Sequence, residues 1–187
     1  MDDLLTLAPT LVTQLADAAR DDVRLAPCPS LSVISVRARV GALVRVAQAL
    51  GAPSLPAPNV VATSRLGDCL WVRPDEWLVI GDAAARQAAL RALEEAVGPD
   101  DGAVVDISAS RIALELVGAR SRDVLASCCP LDLHPRAFVV GRCAQTLIAK
   151  SPVLLHLVDA TPRWRLYVRP SLAAYVISWL TDAMRGG

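Results

Sequence analysis

Between residues 31 and 108 the apolar side chains change period in a fixed order, and that order limits the folds open to this chain more than any other feature. Residues 31–40 alternate, with Val36, Ala38 and Val40 set against Arg37 and Arg39, the period-two mark of a strand with one buried face. Leu43, Val46, Ala47 and Leu50 follow at helical spacing, and Gly51 stops that helix. Three prolines between Ala52 and Asn59 make the next stretch a loop. Cys69–Arg73 and Trp77–Gly81 read as two further strands joined by Pro74-Asp75-Glu76. Asp82 stands where it caps a helix whose apolar face is Ala85, Ala89, Leu93 and Val97. Gly98-Pro99 ends that helix, and Val104–Ile107 reads as a strand. The resulting order, β-α-β-β-α-β, is the split βαβ or ferredoxin-like pattern.

The second half begins a similar series. Ile112–Val117 reads as a strand ending at Gly118, followed by a helix from about Ala119 to Ser127 that stops before Pro130. Cys143–Ile148, Val153–Val158 and Trp164–Val168 read as strands. Ser171 is placed to cap a last helix with Leu172, Tyr175, Val176, Trp179, Leu180 and Ala183 on one face. The fold class expected is α+β: two fused ferredoxin-like lobes with antiparallel sheets, over about residues 31–108 and 109–187 of one domain spanning 31–187. Ahead of it, Leu4, Ala8, Leu11, Leu15 and Ala19, flanked by Val12 and Ala16, form a helical stripe. Pro9 starts a helix easily but sits badly inside one. Residues 1–30 are therefore expected to be a helix from about Pro9 to Arg20 and a linker punctuated by Pro27, Pro29 and Ser30.

Composition narrows the function classes. Nineteen basic residues balance nineteen acidic ones, so long-range attraction to nucleic acid or an anionic membrane is not expected. No apolar run reaches the roughly 20 residues of a bilayer helix. With 53% hydrophobic residues, apolar surface is expected to be buried both internally and against another chain. The acidic start Met1-Asp2-Asp3 and five cysteines without framework spacing point to a reducing cytoplasm.

The sequence carries no recognisable catalytic centre. Cys128, Cys129, His134 and Cys143 form the one Cys/His cluster, but zinc sites use paired ligands a few residues apart, and buried thiols are the plainer reading. His156 lies inside a strand pattern, and no nucleophile elbow accompanies His134. Neither a Walker loop nor a G-x-G-x-x-G run is present. Lys150, the sole lysine, is the only residue open to Schiff-base chemistry.

Three segments are too particular for generic core. Leu70-Trp71-Val72-Arg73-Pro74-Asp75-Glu76-Trp77-Leu78 holds a tight turn, where Asp75 is expected to accept backbone N–H bonds. Val105-Asp106-Ile107-Ser108-Ala109-Ser110-Arg111 is a strand end, where Asp106 and Ser108 are expected to cap backbone and Arg111 to pair. The third runs from Cys129-Pro130-Leu131-Asp132-Leu133-His134-Pro135 to Gly141-Arg142-Cys143-Ala144-Gln145-Thr146.

In this order, from about Leu31 to Ala183, these segments resemble the gamma subunit of heterotetrameric sarcosine oxidase. Cys128, beside the matched Cys129, departs from a usual glycine there. More distantly, Asp106-Ile107-Ser108 followed by Leu114–Gly118 is similar to the aminomethyltransferase and YgfZ-type folate-binding fold. The resemblance implies an accessory subunit with no catalytic, cofactor-binding or metal-binding residues of its own. Its partners would be alpha, beta and delta subunits carrying FAD, FMN, NAD, tetrahydrofolate and zinc. The assembled complex would demethylate sarcosine oxidatively to glycine, giving hydrogen peroxide and a folate-linked one-carbon unit or formaldehyde. Two alternatives stand beside it: a free-standing folate-binding or aminomethyltransferase-like domain, and a subunit of a related N-methyl amino acid dehydrogenase. For a partner interface the candidates are Trp71, Trp77, Arg111, Arg136 and Arg142, since Arg and Trp combine area with directed bonding.

Overall fold

The computed structural model describes residues 15, 19–28 and 31–186. In chain order the elements are β1 (Arg24–Pro27), β2 (Leu31–Ala38), α1 (Leu43–Leu50), β3 (Val61–Ser64), β4 (Gly67–Arg73), β5 (Glu76–Asp82), α2 (Arg86–Val97) and β6 (Gly102–Asp106). Then come β7 (Ile112–Val117), α3 (Ser121–Ala126), β8 (Cys143–Ile148), β9 (Ser151–Asp159), β10 (Arg163–Val168) and α4 (Pro170–Arg185). The fold is α+β with two five-stranded antiparallel sheets. The chain divides into two compact units: Ser30–Ser108, and Met1–Pro29 together with Ala109–Gly187.

In the unit of residues 30–108 the strand order is β3-β4-β5-β2-β6. Without β3 this is the ferredoxin-like arrangement, with β2 central between β5 and β6. The strand Val61–Ser64 lies where the sequence pattern gives no element. It is a four-residue edge paired only to β4, too short and too polar to show a period. The core joins Ile34, Val36 and Ala38 of β2 to Val46 and Leu50 of α1, Ala89, Leu93 and Val97 of α2, and Trp77 and Val79 of β5. Gly51 ends α1 at φ 73°; its N–H bonds Gln48 O and that of Ala52 bonds Ala47 O, a Schellman closure that needs a residue at ease in the left-handed region. Asp82 does accept a backbone bond, from Ala84 N at 2.8 Å. A single 3-10 turn over Ala83–Ala85 intervenes before α2, and Ala85 is exposed rather than on the buried face.

The other unit has strand order β1-β7-β10-β9-β8. Three strands, β8 to β10, form a meander, and β7 closes on β10 over six register pairs. The stretch expected to be plain linker contains β1, which pairs with β7 from Arg24↔Val117 to Pro27↔Leu114. Gly118 follows at φ 124°, where a Cβ would lie 2.2 Å from Asp22 O, so no other residue fits. Most of the helix expected over about 9–20 lies outside the described residues; Leu15 is helical and buried in this unit's core. The same core holds Leu114, Leu116, Leu155, Leu166, Trp164 and the inner face of α4. That face is Ala173, Val176, Ile177, Leu180 and Met184; Val176 and Leu180 are buried as expected and Leu172 and Ala183 pack against the core, but Tyr175 and Trp179 are exposed and meet each other edge-on at 6.3 Å. Ser171 does not cap α4. Pro170 opens the helix, with Arg169 as a cap that makes no side-chain bond, because proline's preset φ and missing N–H suit the first position.

Candidate partner-binding surface

The β4–β5 hairpin turn is held by a carboxylate, but not by Asp75. Asp75 is exposed, and it is its backbone carbonyl that accepts a bond, from Ala38 N at 3.0 Å. The carboxylate that is engaged is the neighbouring Glu76, and its partners are side chains rather than the backbone N–H groups expected of Asp75. Its Oε1 accepts from the Ser35 hydroxyl at 2.8 Å, and its Oε2 faces Arg37 at 3.4 Å and Arg73 at 3.5 Å. The register explains the choice: Glu76 lies directly opposite Arg37 across β2–β5, whereas Asp75 sits at the apex beyond the ladder.

The Asp106–Ser108 strand end behaves as the residue types suggest. Asp106 Oδ1 accepts from Ser108 N at 2.9 Å and from Ser108 Oγ at 2.6 Å. Ser108 Oγ in turn accepts from Val33 N at 2.9 Å, and Ile107 N donates to Val33 O at 2.9 Å. Ser108 is buried, so its hydroxyl extends the β2–β6 ladder one step past the end of the strand. Burial alone would raise the Asp106 carboxyl; the two Ser108 bonds and the Arg86 guanidinium at 3.6 Å outweigh it and hold the group below its ordinary range.

The third segment is a tightly tied loop. Asp132 Oδ1 accepts from His134 N, His134 Nδ1 accepts from Arg136 N at 3.2 Å, and His134 O accepts from Ala137 N and Phe138 N. Leu133 and Phe138 are buried, and Phe138 lies 5.3 Å from the Trp164 ring. Arg122 donates to Leu133 O and stacks over the same ring at 5.0 Å. Two buried anchors thus carry an exposed tip, where Val139 and Val140 are each about half exposed.

The polar side chains of these segments bond the chain's own groups: Glu76 a hydroxyl and two guanidinium groups, and Ser108, Asp132 and His134 backbone N–H groups. Among the described residues no three His, Cys, Asp or Glu side chains gather as metal ligands. All five cysteines are free thiols. Burial, with the neighbouring Cys129, pushes the Cys128 thiol up to about 11, which leaves it protonated and a poor nucleophile at neutral pH.

The candidate contact residues separate. Trp77 is 5% exposed, and its Nε1 donates to Pro56 O at 3.2 Å; it is core, and its side chain has no surface to offer a partner. Trp71, opposite it in the ladder, is half-buried against the same core. Arg111 donates to Ser110 O at 2.9 Å. Arg136 and Arg142 both belong to the tied loop, and no ion pair joins either of them among the described residues. The sequence reading missed Val139 and Val140, whose exposure no periodicity marks, and Trp179, placed on the wrong side of its helix.

Comparison with known proteins shows the family. The family model described as "Sarcosine oxidase, gamma subunit family" matches residues 37–185. The chain is 40% identical over 145 residues to sarcosine oxidase subunit gamma of Corynebacterium sp. (strain P-1), covering 77% of this chain and 70% of that one. With the corresponding subunit of Corynebacterium sp. (strain U-96) it shares 42% over 115 residues, 62% of this chain and 55% of the relative. It therefore spans about half the length of that relative. A solved chain of heterotetrameric sarcosine oxidase from Corynebacterium sp. U-96 superposes with a TM-score of 0.85 at 35% identity, covering 94% of this chain and 92% of that one. Aminomethyltransferase T of the glycine cleavage system from Bartonella henselae shares the fold at a TM-score of 0.69 and 15% identity, over 91% of this chain and 48% of that one.

Proposed function

The chain belongs to the sarcosine oxidase gamma subunit family, and we propose that it serves as the accessory subunit of a complex that demethylates sarcosine oxidatively. The observation that carries the reading is the family match over residues 37–185, joined to the superposition of 94% of the chain on a chain of a heterotetrameric sarcosine oxidase. In this reading the chain supplies a rigid α+β body, and the chemistry belongs to alpha, beta and delta partners that hold FAD, FMN, NAD, tetrahydrofolate and zinc. The Asp106–Ser108 strand end and the His134 loop support it, since Asp106, Ser108, Asp132 and His134 bond the chain's own backbone. Arg136 and Arg142, on a loop tied down by Leu133 and Phe138, are the side chains we assign to partner contact, with Trp71 and Arg111 as flanking candidates. No helix among the described residues is long and apolar enough to cross a membrane, and five free thiols suit a reducing cytoplasm.

The test is co-expression with the three neighbouring subunits and purification through a tag on a large one. The chain should co-purify in equal amount, and alone it should be colourless and inactive on sarcosine. Flavin absorbance that stays with the chain expressed alone, or folate retained by it, would overturn the division of labour. In the complex, Arg136→Ala with Arg142→Ala should leave the melting temperature of the chain unchanged and lower its recovery at raised salt; wild-type recovery would place the contact elsewhere.

A further inference from the structure

The outer edge of β6 is one of the two open edges of the sheet in the unit of residues 30–108. β6 is the last strand of its sheet, paired to β2 on one side only. The bonds at its two ends fix which backbone groups point where. Asp101 O accepts from Arg39 N at 2.7 Å and Ile107 N donates to Val33 O at 2.9 Å, so the odd-numbered residues face β2. The N–H and C=O of Gly102, Val104 and Asp106 therefore face outward. Gly102, Ala103, Val105 and Asp106 are exposed, Val105 by 51%. An edge strand is usually guarded by a lysine, a proline or a bulge. From Gly102 to Val105 this one carries no charge, no proline and no register shift.

Beside that edge lies a groove of about 370 Å³, walled by Glu94, Glu95, Gly98 and Pro99 of the α2 end and by Ala103 and Val104 of β6. The wall is fixed. Arg45 bonds Ala96 O at 2.9 Å, Val97 O at 3.0 Å and Asp101 Oδ2 at 2.7 Å. Val104 packs toward the helices, so a residue opposite it on an added strand would point the same way, into the groove. Glu94 and Glu95 are exposed there, and no cation pairs with either among the described residues.

We propose that the outer edge of β6 receives an extended strand of a partner subunit, which lays a basic side chain in the groove beside Glu94 and Glu95. Backbone groups in strand register are complementary to another strand, and the two carboxylates select its charge. The proposal rests on the accessory-subunit reading and adds which edge is used and what chemistry meets it.

Hydrogen exchange on the chain alone and in the co-expressed complex tests it. The outward amide of Val104 should exchange freely in the lone chain and slow by about tenfold or more in the complex, while the inward amides of Ala103 and Val105 are slow in both. Val104→Pro removes the outward N–H and spares the bonds to β2; Glu94→Lys with Glu95→Lys leaves the strand intact and reverses the charge. Each should cut retention in the complex at raised salt by about tenfold. A complex that assembles with an unprotected Val104 amide overturns the edge while the subunit reading stands. Protection of Val104 in the lone chain, with self-association, would assign the edge to a second copy instead. Failure of the wild-type chain to assemble at all would remove the subunit reading and this proposal with it.

Discussion

Replacing Glu76 tests how the β4–β5 hairpin is held. Its side chain is only 14% exposed, and Oε1 accepts from Ser35 at 2.8 Å. A hydrogen bond to a charged group is worth about 1.5–3 kcal/mol. The Arg37 and Arg73 side chains are 53% and 57% exposed at 3.4 and 3.5 Å, so each adds under about 1 kcal/mol. Glu76→Ala should therefore cost roughly 2–3 kcal/mol, which for a chain of this length lowers the melting temperature by about 5–10 °C. Asp75→Ala, at an exposed apex, should stay within about 0.5 kcal/mol of wild type. Glu76→Gln keeps an acceptor for Ser35 and should fall between the two. Calorimetry at low salt and at about 0.5 M salt separates the parts, because salt weakens only the arginine share and narrows the gap between wild type and Glu76→Gln. A melt of Asp75→Ala as low as that of Glu76→Ala would refute the assignment, as would an unchanged melt for Glu76→Ala.

Ser108→Ala leaves the buried Val33 N–H without the hydroxyl it bonds and should cost about 1–3 kcal/mol in urea denaturation, with an unchanged slope. Because the Asp106 carboxyl is held below its ordinary range, its contribution is complete above the unfolded pKa and is lost as pH falls through the folded one. Stability followed from about pH 6 to pH 3 should therefore decline less steeply in Asp106→Asn than in wild type. With its thiol at about 11, Cys128 should resist maleimide at pH 7 in the folded chain and react on unfolding, which mass spectrometry of the labelled peptide reads directly. Trp164→Ala removes the ring that meets both Phe138 and Arg122 and should cost about 3–5 kcal/mol in thermal or chemical melts.

The first unit was legible because its elements alternate period cleanly and its stops are glycines and prolines with one physical meaning each. Asp106 and Ser108 were legible for the same reason: short polar side chains at a strand end have few partners within reach. What stayed hidden depended on distant sequence. Arg24–Pro27 becomes a strand only because β7 offers it an edge, and nothing local in Arg-Leu-Ala-Pro shows that. The choice of Glu76 over Asp75 depends on which residue lies opposite Arg37, a matter of register that two adjacent carboxylates do not reveal. Tyr175 and Trp179 were misplaced because large aromatic residues imitate a buried stripe; burial followed Ala173, Val176, Ile177, Leu180 and Met184. The partner contacts were least legible, since exposure at Val139 and Val140 follows from the tertiary anchoring of Leu133 and Phe138.

The Asp106–Ser108 lock also bears on how the chain finds its fold. The unit of residues 1–29 and 109–187 is discontinuous in sequence, and its β1–β7 pairing joins Leu25 to Leu116, a loop of about 90 residues whose closure is entropically costly in an open chain. The intervening unit is continuous and can complete itself first during synthesis. Once it does, Ser108 bonds Val33 and Ile107 bonds the same residue, so the points where the chain enters and leaves that unit lie side by side. The distance that β1 and β7 must then search shrinks to the short tails on either side of the lock. A serine hydroxyl at a strand end thus acts as a splint for nucleation elsewhere, and its loss should slow the folding of the β1-β7-β10-β9-β8 sheet more than it weakens that sheet once formed.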